Sequence, residues 1–379
     1  MRVLGIVVEY NPLHYGHVHH IEESKKITGA DVVIAVMSSH VVQRGEFSCV
    51  DKFTKTRWAL KAGIDLVVEL PGIFALQSAD IFALTSIQIL NALGVTDIVF
   101  GSETGELQPL RTCAEIMRTD AFDEKVRNYL AEGYSYPSST DLALSDLTAA
   151  NDHQLPNNIL GIQYLQSIHK INPNIKAHVI KRVDAQYYDD VDETKKIQSA
   201  SGLRKRFKAG KPIANYVPSY VAGSLSHMVD MHDFEKIILY LLRSHTQASL
   251  NSIFSFEAGL ENLFLSAEEA SSLENMYKHL ISKRYTQSKL KRAIMHMLLD
   301  IKKTELTSFD LPYLRILGMD NKGQTYLNSI KKDLQVPLIT KLKRERHPYL
   351  DIELRITRIF DLAKNTRHYL QEFDPVIIL

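Results

Sequence analysis

His14 and His17, separated by Tyr15 and Gly16, are the side chains of this sequence best suited to chemistry on a phosphate. Two imidazoles so placed can donate hydrogen bonds to phosphoryl oxygens as charge builds on them in a transition state. The intervening glycine lets backbone and phosphate approach closely. The apolar, β-branched run from Val3 to Val8 predicts a buried parallel strand. It breaks at Asn11-Pro12, a turn signal, and a polar helix begins near Gly16-His17. A strand that feeds a helix through a tight loop presents free N–H groups and a positive helix end at the carboxyl edge of a sheet, where phosphates bind.

The rest of the first half supplies the sheet that such a loop needs. Asp31 to Met37, Asp65 to Leu70, Asp97 to Phe100 and Ile175 to Arg182 read as further strands. Helical patterns over about 17–27 and 78–93 lie between them, together with a helix that Asp51 could cap and that carries Phe53, Trp58, Ala59 and Leu60. This alternation predicts an α/β fold with a doubly wound parallel sheet and ligands at the carboxyl ends of its strands. Several polar groups fall at those ends. Gln43-Arg44-Gly45 follows the second strand, where Arg44 could face a carboxylate or phosphate, or the segment could be a solvated turn. Gly101 ends the fourth strand and leaves room for a base or ribose, or simply makes a turn. Asn157 and Asn158 open a helix after Pro156, where they could cap it or point an amide at a nucleotide.

His14-Tyr15-Gly16-His17 has the His-x-Gly-His form of the nucleotidylyltransferase superfamily. With Asn11-Pro12, Pro156-Asn157-Asn158 and Ser199-Ala200-Ser201-Gly202-Leu203-Arg204, the chain resembles the bacterial tRNA(Met) cytidine acetate ligase family. The resemblance implies an ATP-dependent ligase. Such an enzyme makes acetyl-adenylate from acetate with release of pyrophosphate, then acetylates N4 of the wobble cytidine of elongator tRNA(Met). It implies catalytic roles for His14, His17 and Arg204. It assigns ATP contacts to Val7, Val8, Glu9, Tyr10, Asn11, Pro12, Leu13, His14, Tyr15, Gly16, His17, Val18, His19 and His20. Gly101, Asn157, Asn158, Arg182, Ser199 and Ser201 join that set, and Gln43 and Arg44 go to the acetate or tRNA side. Asp51-Lys52 and Arg57 also fit the family pattern. Gly202 departs from it, and weakens the helix start by up to about 1 kcal/mol. Mg²⁺ is expected as a phosphate partner, but no carboxylate cluster marks a metal site built from protein alone. The superfamily motif by itself would equally suit an adenylyl- or cytidylyltransferase acting on a small-molecule cofactor or lipid precursor.

The chain has 379 residues, enough for two cores, and its +1 net charge advertises no global affinity for nucleic acid. Any RNA contact must come from a local patch. Punctuation at Gly210-Lys211-Pro212, Val217-Pro218 and Gly223-Ser224 places a boundary near 225. Residues 1–225 then form the catalytic domain and 226–379 a helical, tRNA-binding one. Stripes at Phe234, Ile237, Ile238, Leu241 and Leu242, and at Leu290, Ile294, Met297, Leu298 and Ile301, are helical core faces. Between them Lys283, Arg284, Lys291 and Arg292 surround Tyr285, an arrangement that grips RNA phosphates or is a solvated helix face. The family resemblance favours the former. Lys341 to Arg346 is a second such cluster. The two cysteines, Cys49 and Cys113, form no Cys-x-x-Cys pair. With no leader pattern and no apolar run of spanning length, the expectation is a cytoplasmic protein with reduced thiols that does not engage membranes. Oligomeric state is not readable.

Overall fold

The computed structural model describes residues 1–148, 152–182, 194–282, 284–343 and 346–379. Its strands are β1 (Val3–Val8), β2 (Val32–Ser38), β3 (Val41–Val42), β4 (Glu46–Phe47), β5 (Leu66–Leu70), β6 (Asp97–Ser102), β7 (Lys176–Lys181), β8 (Leu314–Met319), β9 (Leu338–Ile339) and β10 (Ile377–Ile378). The main sheet runs β10-β8-β5-β2-β1-β6-β7, with β9 added to β8. From β5 through β7 it is parallel, in the doubly wound manner expected. Odd and even residues of each central strand face different cores, the consequence of the strand's period of two. Val3, Val32, Ile34, Val36, Leu66 and Val68 enter one core. Leu4, Ile6, Val33, Ala35, Met37 and Val67 enter the other.

All five expected strands are present, within a residue or two at each end. The second half of the chain differs from its expected helical character. β8 pairs antiparallel with β5, and β10 pairs with β8, so residues beyond 225 complete the sheet. β8 (Leu-Arg-Ile-Leu-Gly-Met) is short, and a charged residue interrupts its apolar run, which hid it among helical stripes. The arginine is nevertheless buried. Arg315 bonds Glu69 at 3.2 Å and Glu372 at 2.6 Å. Lys52 joins the same cluster, 2.5 Å from Glu69 and 3.0 Å from Glu372. Lys52 is thus neither a substrate ligand nor a surface charge. The two apolar stripes pack as expected, with Phe234, Ile238 and Leu242 and then Leu290, Ile294 and Ile301 all inside.

Candidate active site

The site is built on the loop between β1 and helix α1 (Tyr15–Thr28). Asn11 fixes the loop from both of its polar ends. Its side-chain oxygen accepts from the Cys49 N–H at 2.7 Å, and its backbone carbonyl accepts from Arg204 Nη1 at 2.6 Å. Tyr10 is buried with φ at +47°, and the Asn11–Pro12 peptide is cis. The chain then enters α1 with His14 as its N-cap. His14 Nδ1 accepts from the Gly16 N–H at 3.1 Å, and His17 Nδ1 accepts from the His14 N–H at 3.2 Å. This is a capping box made of imidazoles. It determines the chemistry of both rings, because a neutral imidazole whose Nδ1 accepts must carry its proton on Nε2.

Both rings are neutral at physiological pH. Burial, with the Arg182 charge second, pushes the His14 pKa down to about 3. Burial and then His14 hold His17 well below its ordinary value. The rings lie 3.8 Å apart at 32°, with Tyr10 edge-on to His17. Gly16 is required for a reason other than phosphate approach. A Cβ there would stand 2.9 Å from His14 Cε1 and 3.2 Å from Ile197 Cγ2.

Two basic groups converge on this loop. Arg182, directly after β7, donates to Asn157 Oδ1 at 3.0 Å. Its stem passes over Gly101, where a Cβ would lie 3.4 Å from Arg182 Cγ. Its charge, after burial and His19, also helps to lower His20 to about 4. The helix Ala200–Lys208 starts at Ser199, whose Oγ accepts from the Gly202 N–H at 3.0 Å and lies 3.2 Å from Ser201 Oγ. One turn in, Arg204 ties that helix to Asn11. Imidazole N–H donors, two guanidinium groups and helix N-termini at one strand edge form an array chemically suited to phosphoryl transfer.

Residues 1–373 match the model of the HIGH Nucleotidyl Transferase family. A tRNA(Met) cytidine acetate ligase of Caldanaerobacter subterraneus is 39% identical, with all of both chains covered. One of Fervidobacterium nodosum is 40% identical over 90% of this chain and 84% of its own. The chain belongs to the tRNA(Met) cytidine acetate ligase family. Its fold is that of Thermotoga maritima TmcAL, whose apo crystal structure superposes with a TM-score of 0.93 at 28% identity over the whole of both chains. A second crystal form of TmcAL, bound with alpha-thio ATP, gives 0.90 at 27%, again over the whole of both chains.

The remaining candidates of this ligase-family chain fall into place unevenly. Asn158 is buried, and its amide is spent on Ser102 Oγ (2.7 Å), the Glu103 N–H and the Asp152 carbonyl. Asn157, half-buried and beside Arg182, is the asparagine that faces the site. Neither caps its helix, Pro156–Ile171. Glu103 does, its two oxygens accepting from the N–H groups of Asn157 and Asn158 at 3.1 and 3.0 Å. Tyr10, Leu13 and Pro12 are buried behind the histidines as support.

Gln43 and Arg44 form the turn of a hairpin, β3–β4, rather than an open loop. Gly45, at φ +81°, brings that turn against the helix Gln287–Leu298, where a Cβ would meet Arg292 N at 2.4 Å. Lys291 is ion-paired with Glu46, and Arg292 is aimed at the Gln43 carbonyl 3.5 Å away. These two residues of the basic cluster therefore engage the hairpin of the first half of the chain. Arg284 is exposed beside Tyr285, and Lys283 lies outside the described residues. Sequence reading missed Lys55. It is fully buried, and its ammonium donates to the carbonyls of Glu9, Ser38 and Ser39 at 3.1, 2.8 and 2.7 Å, clamping the ends of β1 and β2 together. The available signal was its position three residues after Lys52 and four before buried Ala59, on one helical face.

Proposed function

We propose that this chain is an ATP-dependent tRNA(Met) cytidine acetate ligase. A carboxylate oxygen of acetate attacks the α-phosphorus in line, and the bond to pyrophosphate breaks. The Nε2–H groups of His14 and His17 donate to the non-bridging oxygens, while Arg204 and Arg182 neutralise the departing pyrophosphate. Ser199 and Ser201 hold its phosphates at the helix start, and Gly101 and Asn157 lie on the nucleoside side. The acetyl group then passes to N4 of the wobble cytidine of elongator tRNA(Met), and AMP departs.

The observation that carries this reading is the imidazole capping box, which turns two proton donors outward from the loop. Neutral donors suit an anionic transition state that meets an anionic nucleophile, because they neither bind acetate as counter-ions nor lose charge with pH. Mg²⁺ would travel on the nucleotide's own phosphates and supply charge neutralisation there. Among the described residues no group of three or more His, Cys, Asp or Glu is placed to hold a metal ion. The helices of the second half of the chain supply the tRNA-binding face, with Arg284 as a phosphate contact. The enzyme works in the cytoplasm, and no helix among the described residues is long and apolar enough to cross a membrane.

The test is incubation with ATP, labelled acetate and unmodified elongator tRNA(Met), followed by nucleoside analysis. Label in N4-acetylcytidine is the expected result. ATP consumed with acetyl-adenylate formed and no label in RNA would remove the tRNA. No reaction with acetate would point to a small-molecule nucleotidylyltransferase.

A further inference from the structure

The second half-reaction needs a base. The exocyclic amine of cytidine is conjugated with its ring and is a weak nucleophile, and it must shed a proton as its nitrogen bonds to carbon. The two histidines cannot take that proton. Each Nδ1 lone pair is held by a backbone N–H, and each Nε2 already carries hydrogen.

Resting on the reading above, we infer that Glu9 is the general base of acetyl transfer. The carboxylate follows β1 directly, five residues before His14. Its Oε1 is anchored by the Gln43 N–H at 2.7 Å, with Ser38 Oγ at 3.4 Å. Its Oε2 has no protein donor among the described residues and keeps access to solvent. One oxygen is thus fixed and the other presented. The side on which this happens also matters. Gly101, Asn157 and Arg182 come from β6, the helix Pro156–Ile171 that Glu103 caps, and the end of β7, all to one side of β1. Glu9 bonds to Ser38 and Gln43, which come from β2 and the hairpin on the other side. The acceptor amine can therefore approach the acetyl carbon from the β2 side while the nucleotide occupies the β6 side. The cationic groups of Arg292 and Lys291 border that same hairpin.

The step balances within the site. The amine nitrogen bonds to the acetyl carbon, its proton passes to Glu9 Oε2, and the bond from acetyl carbon to phosphate oxygen breaks with its electron pair on AMP. Three titratable groups from surrounding elements act on Glu9, Lys55, Arg44 and Arg204, and all favour its charge; the carboxylate in turn raises Tyr164. Burial outweighs the cations and holds the carboxyl above its ordinary value, which brings its basicity nearer to neutral pH.

The experiment measures two rates in wild type and in Glu9→Gln. These are acetate-dependent pyrophosphate exchange, and single-turnover transfer to tRNA(Met) from supplied acetyl-adenylate. Glutamine can still accept from the Gln43 N–H, which preserves the hairpin. Transfer should fall about 100-fold, the lower end of general-base effects, and at least tenfold further than exchange. The wild-type transfer rate should rise with pH through the carboxyl's titration, and the variant should lack that limb. Equal loss in both steps, no loss in transfer, or a wild-type transfer rate with no acidic limb would each overturn Glu9 as the base. Wild-type protein that shows neither exchange nor transfer would instead overturn the ligase reading, so the two failures are distinct.

Discussion

At the carboxyl end of β1, buried His14 and half-buried His17 are held as neutral rings; two strands away, beside β5, Lys52 and Arg315 are buried as full charges. The two regions answer desolvation in opposite ways. In the first, burial wins, the imidazoles give up their protons, and each keeps an N–H for a ligand. In the second, burial and Arg315 work against the Lys52 charge, but Glu372 and Glu69 outweigh them and the ammonium persists. The ionic cluster joins residues from α2 (Lys52–Lys61), β5, β8, the helix Pro348–Leu362 and Glu372. Apart from Glu353 Oε2, its donors and acceptors are largely spent within the protein, so it can hold elements together but has little left to offer a substrate. The loop keeps two N–H donors unspent among the described residues. Charge density is therefore a poor guide to function here, and unspent hydrogen-bonding capacity is a better one.

The largest expected effect tests the cluster. Lys52→Met should cost about 3–5 kcal/mol in chemical denaturation, because Glu69 and Glu372 would lose a buried counter-charge. The folded fraction should keep its pyrophosphate-exchange rate. A cost under about 1 kcal/mol would show the cluster to be wet and erase the contrast. His17→Ala should do the reverse. Exchange should fall about 10²–10³-fold, as for loss of one oxyanion donor. Stability should drop by only about 1 kcal/mol, the worth of the cap it closes. Equal damage to stability and rate would make His17 a structural residue.

The smallest effect lies inside the cluster. Burial, and then Glu69, raise the Glu353 pKa above its ordinary value. As pH rises past the ordinary carboxylate range, the unfolded chain releases this proton while the folded one retains it, so stability declines toward alkaline pH. Glu353→Gln removes that penalty. Its unfolding midpoint should exceed wild type at pH 8 by a margin that vanishes near pH 4. A margin independent of pH would place the effect in packing instead.

The parts of the site that were legible in the sequence are local. A strand, a turn and a helix start lie within fifteen residues of one another, so the types and spacing of Asn11, His14, Gly16 and His17 are nearly sufficient. Asp51 caps α2 as expected, for the same reason, accepting from the Thr54 N–H at 2.8 Å. What was not legible depends on partners far along the chain. Glu103 caps a helix more than fifty residues away, a role that composition had offered to the asparagines themselves. Lys52 and Lys55 are polar residues on a buried helical face, and nothing near them in sequence names their acceptors. Lys291 and Arg292 read as one charge run with Arg284, yet Gly45 brings a hairpin against the first two and leaves the third exposed.

The entry of β8 into the sheet bears on whether the chain can be divided. A protein ending near residue 225 would have Lys52 in its core without Arg315, Glu353 or Glu372 around it, and β5 would become an unpaired edge. Cutting the chain there would thus leave a buried ammonium short of counter-charges and an open sheet edge, both of which disfavour independent folding of the first half. The half that carries the candidate active site and the half beyond residue 225 therefore form one structural unit, sharing a buried ionic cluster and a sheet.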